Sequence, residues 1–202
     1  MSEQTLNMPS KNGFSTRMVA EAGVMIALAK SLSFIKLFEM PMGGSVTLAS
    51  MAPVLFFAIR WGWQKGLLVG LVYGLVDYLL GGYTVHPLQV LLDYPLAYMM
   101  LGFAGLQRAS DGDGFFSHLP SLILAVALRL AMHVLSGCVF YSTIDFTKAG
   151  ASLGEAFTLT NMGAGFMYSL QYNAAFLGVD FLICLVVLAL AWQPLRKRMH
   201  RV

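Results

Sequence analysis

A chain of 202 residues that is 57% hydrophobic and only 11% charged lies far below the ~25% charge of a soluble domain. Its 13 basic and 10 acidic side chains could not cover a water-exposed globule, which excludes a soluble domain and a disordered chain and leaves lipid as the main solvent. The net charge of +3 is carried by Arg196, Lys197, Arg198 and Arg201 beside an apolar run, a pattern of membrane topology and anionic-lipid contact rather than of nucleic-acid binding.

The expected fold class is an all-α integral membrane protein with six transmembrane helices and both termini cytoplasmic. Residues 1–16 read as a polar cytoplasmic segment without a cleavable signal peptide. Residues 17–193 read as one membrane domain, and 194–202 as a basic tail. Helix 1 is predicted over about Arg17 to Leu37. Helix 2, short and opened by a Gly-rich loop, covers about Leu48 to Arg60. Helix 3 covers about Gln64 to Leu80. Helix 4 runs from about Pro87, a residue suited to a first helical turn, to Gln107. Helix 5 covers about Leu119 to Tyr141. Helix 6 covers about Ala164 to Trp192, with Pro194 ending it. The apolar runs are long and lack period-2 alternation, so no strands are predicted. Cys138 and Cys184 both sit in apolar runs and read as inert buried thiols.

Lys and Arg concentrate in the segments that face the cytoplasm if the N-terminus is inside. Three segments then face outward: FEMPMGGSVT from Phe38, GGYTVH from Gly81, which carries Tyr83, and Ser142 to Gly163. The inner connector Arg108 to His118 reads as an ordinary solvated loop.

Ionisable groups inside spans are costly and mark candidate sites. Here they are Glu21, Lys30, Asp77, Asp93, Arg129, His133 and Asp180. At ~1.5 Å per residue, Asp93 lies roughly 9 Å below the outer end of helix 4, and His133 roughly 12 Å below Tyr141. Arg129, His133, Gly137 and Tyr141 recur every fourth residue and form one stripe. Tyr73 and Asp77, and Gln89 and Asp93, are four-residue pairs, while Tyr168 and Asn173 could edge one cavity on helix 6. Only Asp180 reaches mid-span, and Glu21 is interfacial at the inner end. The polar groups thus converge on the outer half, as a cup that opens outward. Asp77 or Asp93 is available to Arg129 as an ion-pair partner.

Carboxylates accept from an amino group, His and Asn suit a heteroaromatic ring, and Tyr faces attract an organic cation. The expected ligand is small, flat, nitrogen-rich and cationic. No Walker loop, H-E-x-x-H, C-x-x-C or G-x-S-x-G occurs, so no nucleotide site, metal, cofactor or nucleophile elbow is expected. Ser136 lies three residues from His133 and is the nearest intramembrane Ser/His pair. Gly23 and Ala27, with Ala20 one turn earlier, form a small-residue face that suits either internal packing or a partner helix.

LFEMPMGGSVTLASMAPVLFFAIRWGWQKGLLVGLVYGL and VHPLQVLLDYPLAYMMLGFAGL resemble the thiamine-specific S-components of energy-coupling factor (ECF) vitamin transporters, over about Ala20 to Leu190. The resemblance implies a non-enzymatic six-helix protein that captures thiamine from outside, with the first outer loop as a lid. It implies a separate energising module, a coupling transmembrane subunit and two ABC ATPases. Carried over residue by residue, Asp93, His133, Tyr168 and Asn173 would hold the aminopyrimidine, and Tyr141 would stack on the ligand. Gly23 and Ala27 would dock the coupling subunit. Some members have Glu at Asp93, Trp at Tyr141 and Lys at Arg129. Glu39, the carboxylate of the lid, could neutralise the thiazolium or pair with Lys36. An S-component for another vitamin or a thiamine precursor, and an intramembrane enzyme, stay open as other readings.

Overall fold

The computed structural model describes residues 14–40, 44–84, 86–108, 114–140 and 159–199. α1 spans Thr16–Ser33 and is capped by Ser15, whose Oγ accepts from the Met18 N–H at 3.2 Å. It ends four residues before the predicted boundary because the chain turns into an antiparallel hairpin, β1 (Lys36–Glu39) and β2 (Ser45–Thr47). The hairpin was not expected from sequence. β1 is exposed at all four positions and so has no inside–outside alternation to reveal it.

α2 (Ala52–Trp61) is buried at every residue. At 10 residues it is too short to cross a bilayer, and it packs between α1, the next helix α3 (Trp63–Leu79), and the fourth span. Gly62, with φ of +91°, breaks α2 from α3, a conformation open to glycine at no steric cost. At the end of the bundle away from the hairpin Glu21 ties α1 to α2. It accepts from Trp61 Nε1 at 2.9 Å and pairs with Arg60 at 2.9 Å.

The fourth span is not one α-helix. α4 (Pro87–Leu91) gives way to a π-helical turn over Leu92–Leu96, then α5 (Ala97–Met100), then a 3₁₀ stretch over Leu101–Leu106. His86 caps α4, its Nδ1 accepting from the Leu88 N–H at 3.1 Å. Pro95 inside the π turn has no N–H for the α-helical bond to Leu91. The Ala97 N–H instead reaches back five residues to the Leu92 carbonyl.

α3 meets this span backbone to backbone. A Cβ added at Gly70 would stand 2.3 Å from the Tyr98 carbonyl oxygen, and one at Gly74 2.5 Å from that of Tyr94. Four-residue glycine spacing is what lets two helices approach this closely.

α6 (Leu119–Phe140) and α7 (Leu159–Met199) pack on each other. Pro194 lies inside α7 and does not end it. A proline forfeits one helical bond, and the helix continues to Met199. The connector expected to be an ordinary solvated loop is not simply solvated either. Phe115 and His118 are buried and pack on Trp192, at ring separations of 5.9 and 4.8 Å. Phe115–Cys138 and Phe166–Pro194 are long and apolar enough to cross a membrane, and Leu182, Val186 and Leu190 on α7 point outward.

Candidate functional site

A cavity of about 290 Å³ opens between the hairpin, α1, α3, the fourth span, α6 and α7. That volume is at the small end of ligand pockets. Asp93, His133, Arg129, Gly137, Tyr168, Asn173 and Tyr83 all line it, as do Asp77, Asp180, Gln89 and Lys36.

The chemistry centres on Asp93, which the π turn carries into the cavity. Its Oδ1 accepts from His133 Nδ1 at 3.0 Å. Its Oδ2 accepts from Gln89 Nε2 at 2.6 Å and from Ser136 Oγ at 2.9 Å. The histidine tautomer follows from its other neighbour. Arg129 Nε lies 3.4 Å from His133 Nε2, and a guanidinium only donates, so Nε2 accepts and Nδ1 carries the proton. Ser136 therefore serves Asp93 and forms no pair with His133.

Among the described residues Arg129 has no carboxylate within salt-bridge distance, and neither Asp77 nor Asp93 forms the ion pair with it that the sequence left open. Its guanidinium sits 4.0 Å from the centroid of the Tyr98 ring, a cation–π contact. It is 6% exposed, and its Nη1 is buried with no hydrogen-bond partner among the described residues. Asp77 instead pairs with Lys30 of α1 at 2.8 Å and accepts from Tyr98 Oη at 3.0 Å. Neither Lys30 nor Asp77 could find the other from sequence, because helical phase places a residue on a face without naming its neighbour.

On α7, Asn173 Nδ2 donates to the Ser169 carbonyl at 2.8 Å and to Ser169 Oγ at 3.1 Å. Its Oδ1 is thereby the atom left for other donors. Gly137 makes room for this arrangement, since a Cβ there would stand 1.9 Å from Ser169 Oγ. Its smallness serves helix packing as well as the cavity wall. Tyr168 and Tyr172 stack at 6.2 Å, and Tyr172 meets Phe176 edge-on at 5.9 Å, giving α7 an aromatic wall. Tyr83 is half-exposed at the mouth, where its N–H donates to Tyr94 Oη at 2.6 Å.

Asp180 plays a part that its depth alone did not suggest. Its Oδ1 accepts from both the N–H and the hydroxyl of Thr47, at 2.8 and 2.9 Å. The end of the hairpin is thus pinned into the bundle, with Val46 and Thr47 buried. The SVT run reads as an outer loop in sequence, and nothing local announces its distant carboxylate.

Two predicted site residues stand elsewhere. Tyr73 is fully buried behind the cavity, its ring edge-on to Tyr98 at 4.6 Å and its hydroxyl 3.4 Å from the Ala29 carbonyl. Helix phase put it beside Asp77, but its ring fills the α1–α3 seam. Glu39 is exposed on β1, pairs with Lys36 and does not line the cavity. Tyr141 lies outside the described residues. Gly23 and Ala27 are exposed on the outer side of α1, and a Cβ at Gly23 meets nothing within 4 Å.

As a set, the wall offers acceptors from Asp93 and Asn173, a buried donor from Arg129, and aromatic faces. That combination suits a flat ring with an amino group and a ring nitrogen. Among the described residues no cluster of His, Cys, Asp or Glu could hold a metal ion.

Comparisons with known proteins agree with this chemistry. The family model for thiamine transporter protein matches residues 19–199. The chain is 33% identical over 185 residues to the thiamine transporter ThiT of Bacillus subtilis, covering 86% of this chain and 88% of that one. It is 24% identical over 184 residues to ThiT of Lacticaseibacillus paracasei, covering 80% and 85%. A solved structure of ThiT from Listeria monocytogenes superimposes with a TM-score of 0.68 at 20% identity, covering 91% of this chain and 97% of that one; at that identity it speaks for the fold. The chain belongs to the thiamine transporter protein family, whose members transport and are not enzymes.

Proposed function

We propose that this protein captures thiamine with high affinity from the outer side of the cell membrane, as the S-component of an ECF-type transporter. In this reading residues 17–193 form a multi-pass domain of six helical segments, of which the second, α2, is shorter than the bilayer and held inside the bundle, with the polar N-terminal segment and the basic tail both cytoplasmic. The aminopyrimidine lies against Asp93, His133, Tyr168 and Asn173. The thiazolium lies toward the aromatic wall and the mouth. The observation that carries the reading is Asp93, a carboxylate held by three donors inside a largely apolar bundle and facing a cavity of about 290 Å³, the size of a small ligand. A charged group kept there at such desolvation cost is a functional site by default.

Equilibrium calorimetry on the purified protein in detergent tests this. Tight thiamine binding is expected, with no binding of riboflavin or biotin. Binding of riboflavin or biotin without thiamine would overturn the specificity.

The chain has no ATP-binding loop, so energy comes from a separate coupling subunit and two ABC ATPases. The open, small-residue face of α1 at Gly23 and Ala27 is the docking surface in this reading. Because a side chain at Gly23 meets no neighbour, Gly23→Trp should leave thiamine binding within about threefold of wild type, as surface changes do. ATP-driven uptake by the reconstituted complex should be lost. Equal loss of binding and uptake would mean that α1 packs inside the bundle at this face.

A further inference from the structure

We infer that Ser136 and Gln89 are positioning residues that leave Asp93 one acceptor site, so that the cavity reads a single N–H donor and rejects a carbonyl in its place. The inference rests on the thiamine reading and refines it.

A carboxylate has about four lone-pair positions. Both positions on Asp93 Oδ2 are used, by Gln89 Nε2 at 2.6 Å and Ser136 Oγ at 2.9 Å. One position on Oδ1 is used by His133 Nδ1 at 3.0 Å. Among the described residues one position remains, and Asp93 faces the cavity. With both oxygens held, the carboxylate cannot turn to present a second acceptor. It therefore cannot grip a protonated amidine edge with two parallel bonds, as free carboxylates do. It can take one N–H of an exocyclic amine. A carbonyl at that place would set an oxygen against a fixed carboxylate oxygen.

For Ser136 the geometry separates this role from direct contact, whereas Gln89 also lines the cavity. Ser136 is 1% exposed and does not line the cavity, so it acts on the ligand only through Asp93. Gln89, four residues before Asp93, is 2% exposed and holds the same oxygen from the other side. The remaining charged neighbours of the cavity wall are Arg129 and His133 on α6, Lys30 on α1, Lys36 on β1, Asp77 on α3 and Asp180 on α7, and five tyrosines also line it. None of them bonds Oδ2.

The test compares thiamine with its 4-oxo analogue, in which a carbonyl replaces the exocyclic amine. Both are titrated into wild type, Ser136→Ala and Gln89→Met. Wild type should prefer thiamine by about 100-fold or more, as sites built around a hydrogen-bonding group do. In Ser136→Ala one position on Oδ2 is released, so the carboxylate gains a second acceptor site that can take the ring N–H of the oxo form. The preference should then shrink by about tenfold, mostly through tighter binding of the analogue. If Ser136→Ala does not fold, Gln89→Met decides by the same ratio. A merely structural hydroxyl would weaken both ligands by one factor, and an unchanged ratio overturns the inference. Wild type binding both ligands equally overturns it as well, with thiamine capture intact. Wild type binding neither overturns the thiamine reading itself and the inference with it.

Discussion

Replacing Asp93 by alanine is expected to weaken thiamine binding by about 1.5–3 kcal/mol, or roughly 10- to 150-fold, the range for a charge-assisted contact. The same change leaves Gln89, Ser136 and His133 without their shared acceptor. Each abandoned buried donor costs about 1–3 kcal/mol where no water replaces it, so the melting temperature should fall as well. Asp93→Asn separates the two effects. Its amide keeps one oxygen for a donor but loses the charge, and it should rank between wild type and alanine in both measurements. Calorimetry and thermal unfolding in detergent check the order. Wild-type affinity in Asp93→Ala would remove this residue from the site.

The second large effect is expected far from any ligand contact. In Gly70→Ala the added methyl would stand 2.3 Å from the Tyr98 carbonyl oxygen and 3.0 Å from Met99 Cα. These are backbone atoms, so α3 and the fourth span must separate. Overpacking of this kind costs about 1–3 kcal/mol. Tyr98 is the ring beneath Arg129 and the donor to Asp77, so separation also disturbs the cavity wall, and thiamine affinity should fall with stability. Gly178→Ala is the matched control, because a Cβ there meets nothing within 4 Å. Its affinity should match wild type, and its melting temperature should match or slightly exceed it, since alanine favours a helix interior over glycine. A Gly70→Ala protein as stable as this control would contradict the backbone contact.

What sequence reasoning could and could not reach divides along physical lines. Asp93, His133, Arg129 and Asn173 stood out because polar groups in apolar spans have few tolerable explanations, and their depth follows from residue count. The helices were legible for the same reason, as long apolar runs. The hairpin was not, because strands of four and three residues are too short to show a period. The π turn leaves only Pro95 as its local trace. Tyr73 was misplaced because a four-residue spacing puts two side chains on one face without telling which of them the next helix covers. Lys30 with Asp77 and Thr47 with Asp180 are separated by 47 and 133 residues. Pairings of that kind belong to the packing of helices and have no local signature. The α3 glycines could have been read from their spacing, since Gly66, Gly70 and Gly74 recur every fourth residue. Gly66 belongs to the same seam, with a Cβ there 3.0 Å from Gly102 Cα.

The π turn at Leu92–Leu96 has a consequence in chain arithmetic. Such a turn holds one residue more than an α-turn needs, and one residue is about 100° of rotation about the helix axis. Everything before Pro95 is therefore swung by that angle relative to Tyr98 and the residues after it. In an unbroken helix, Tyr98 could keep its place over Arg129 only with Gln89 and Asp93 turned off the wall they share with His133. The carboxylate reaches the cavity through a surplus of one residue. A relative that keeps an acid on this wall must carry the same surplus or lengthen the acid's side chain to reach around the axis.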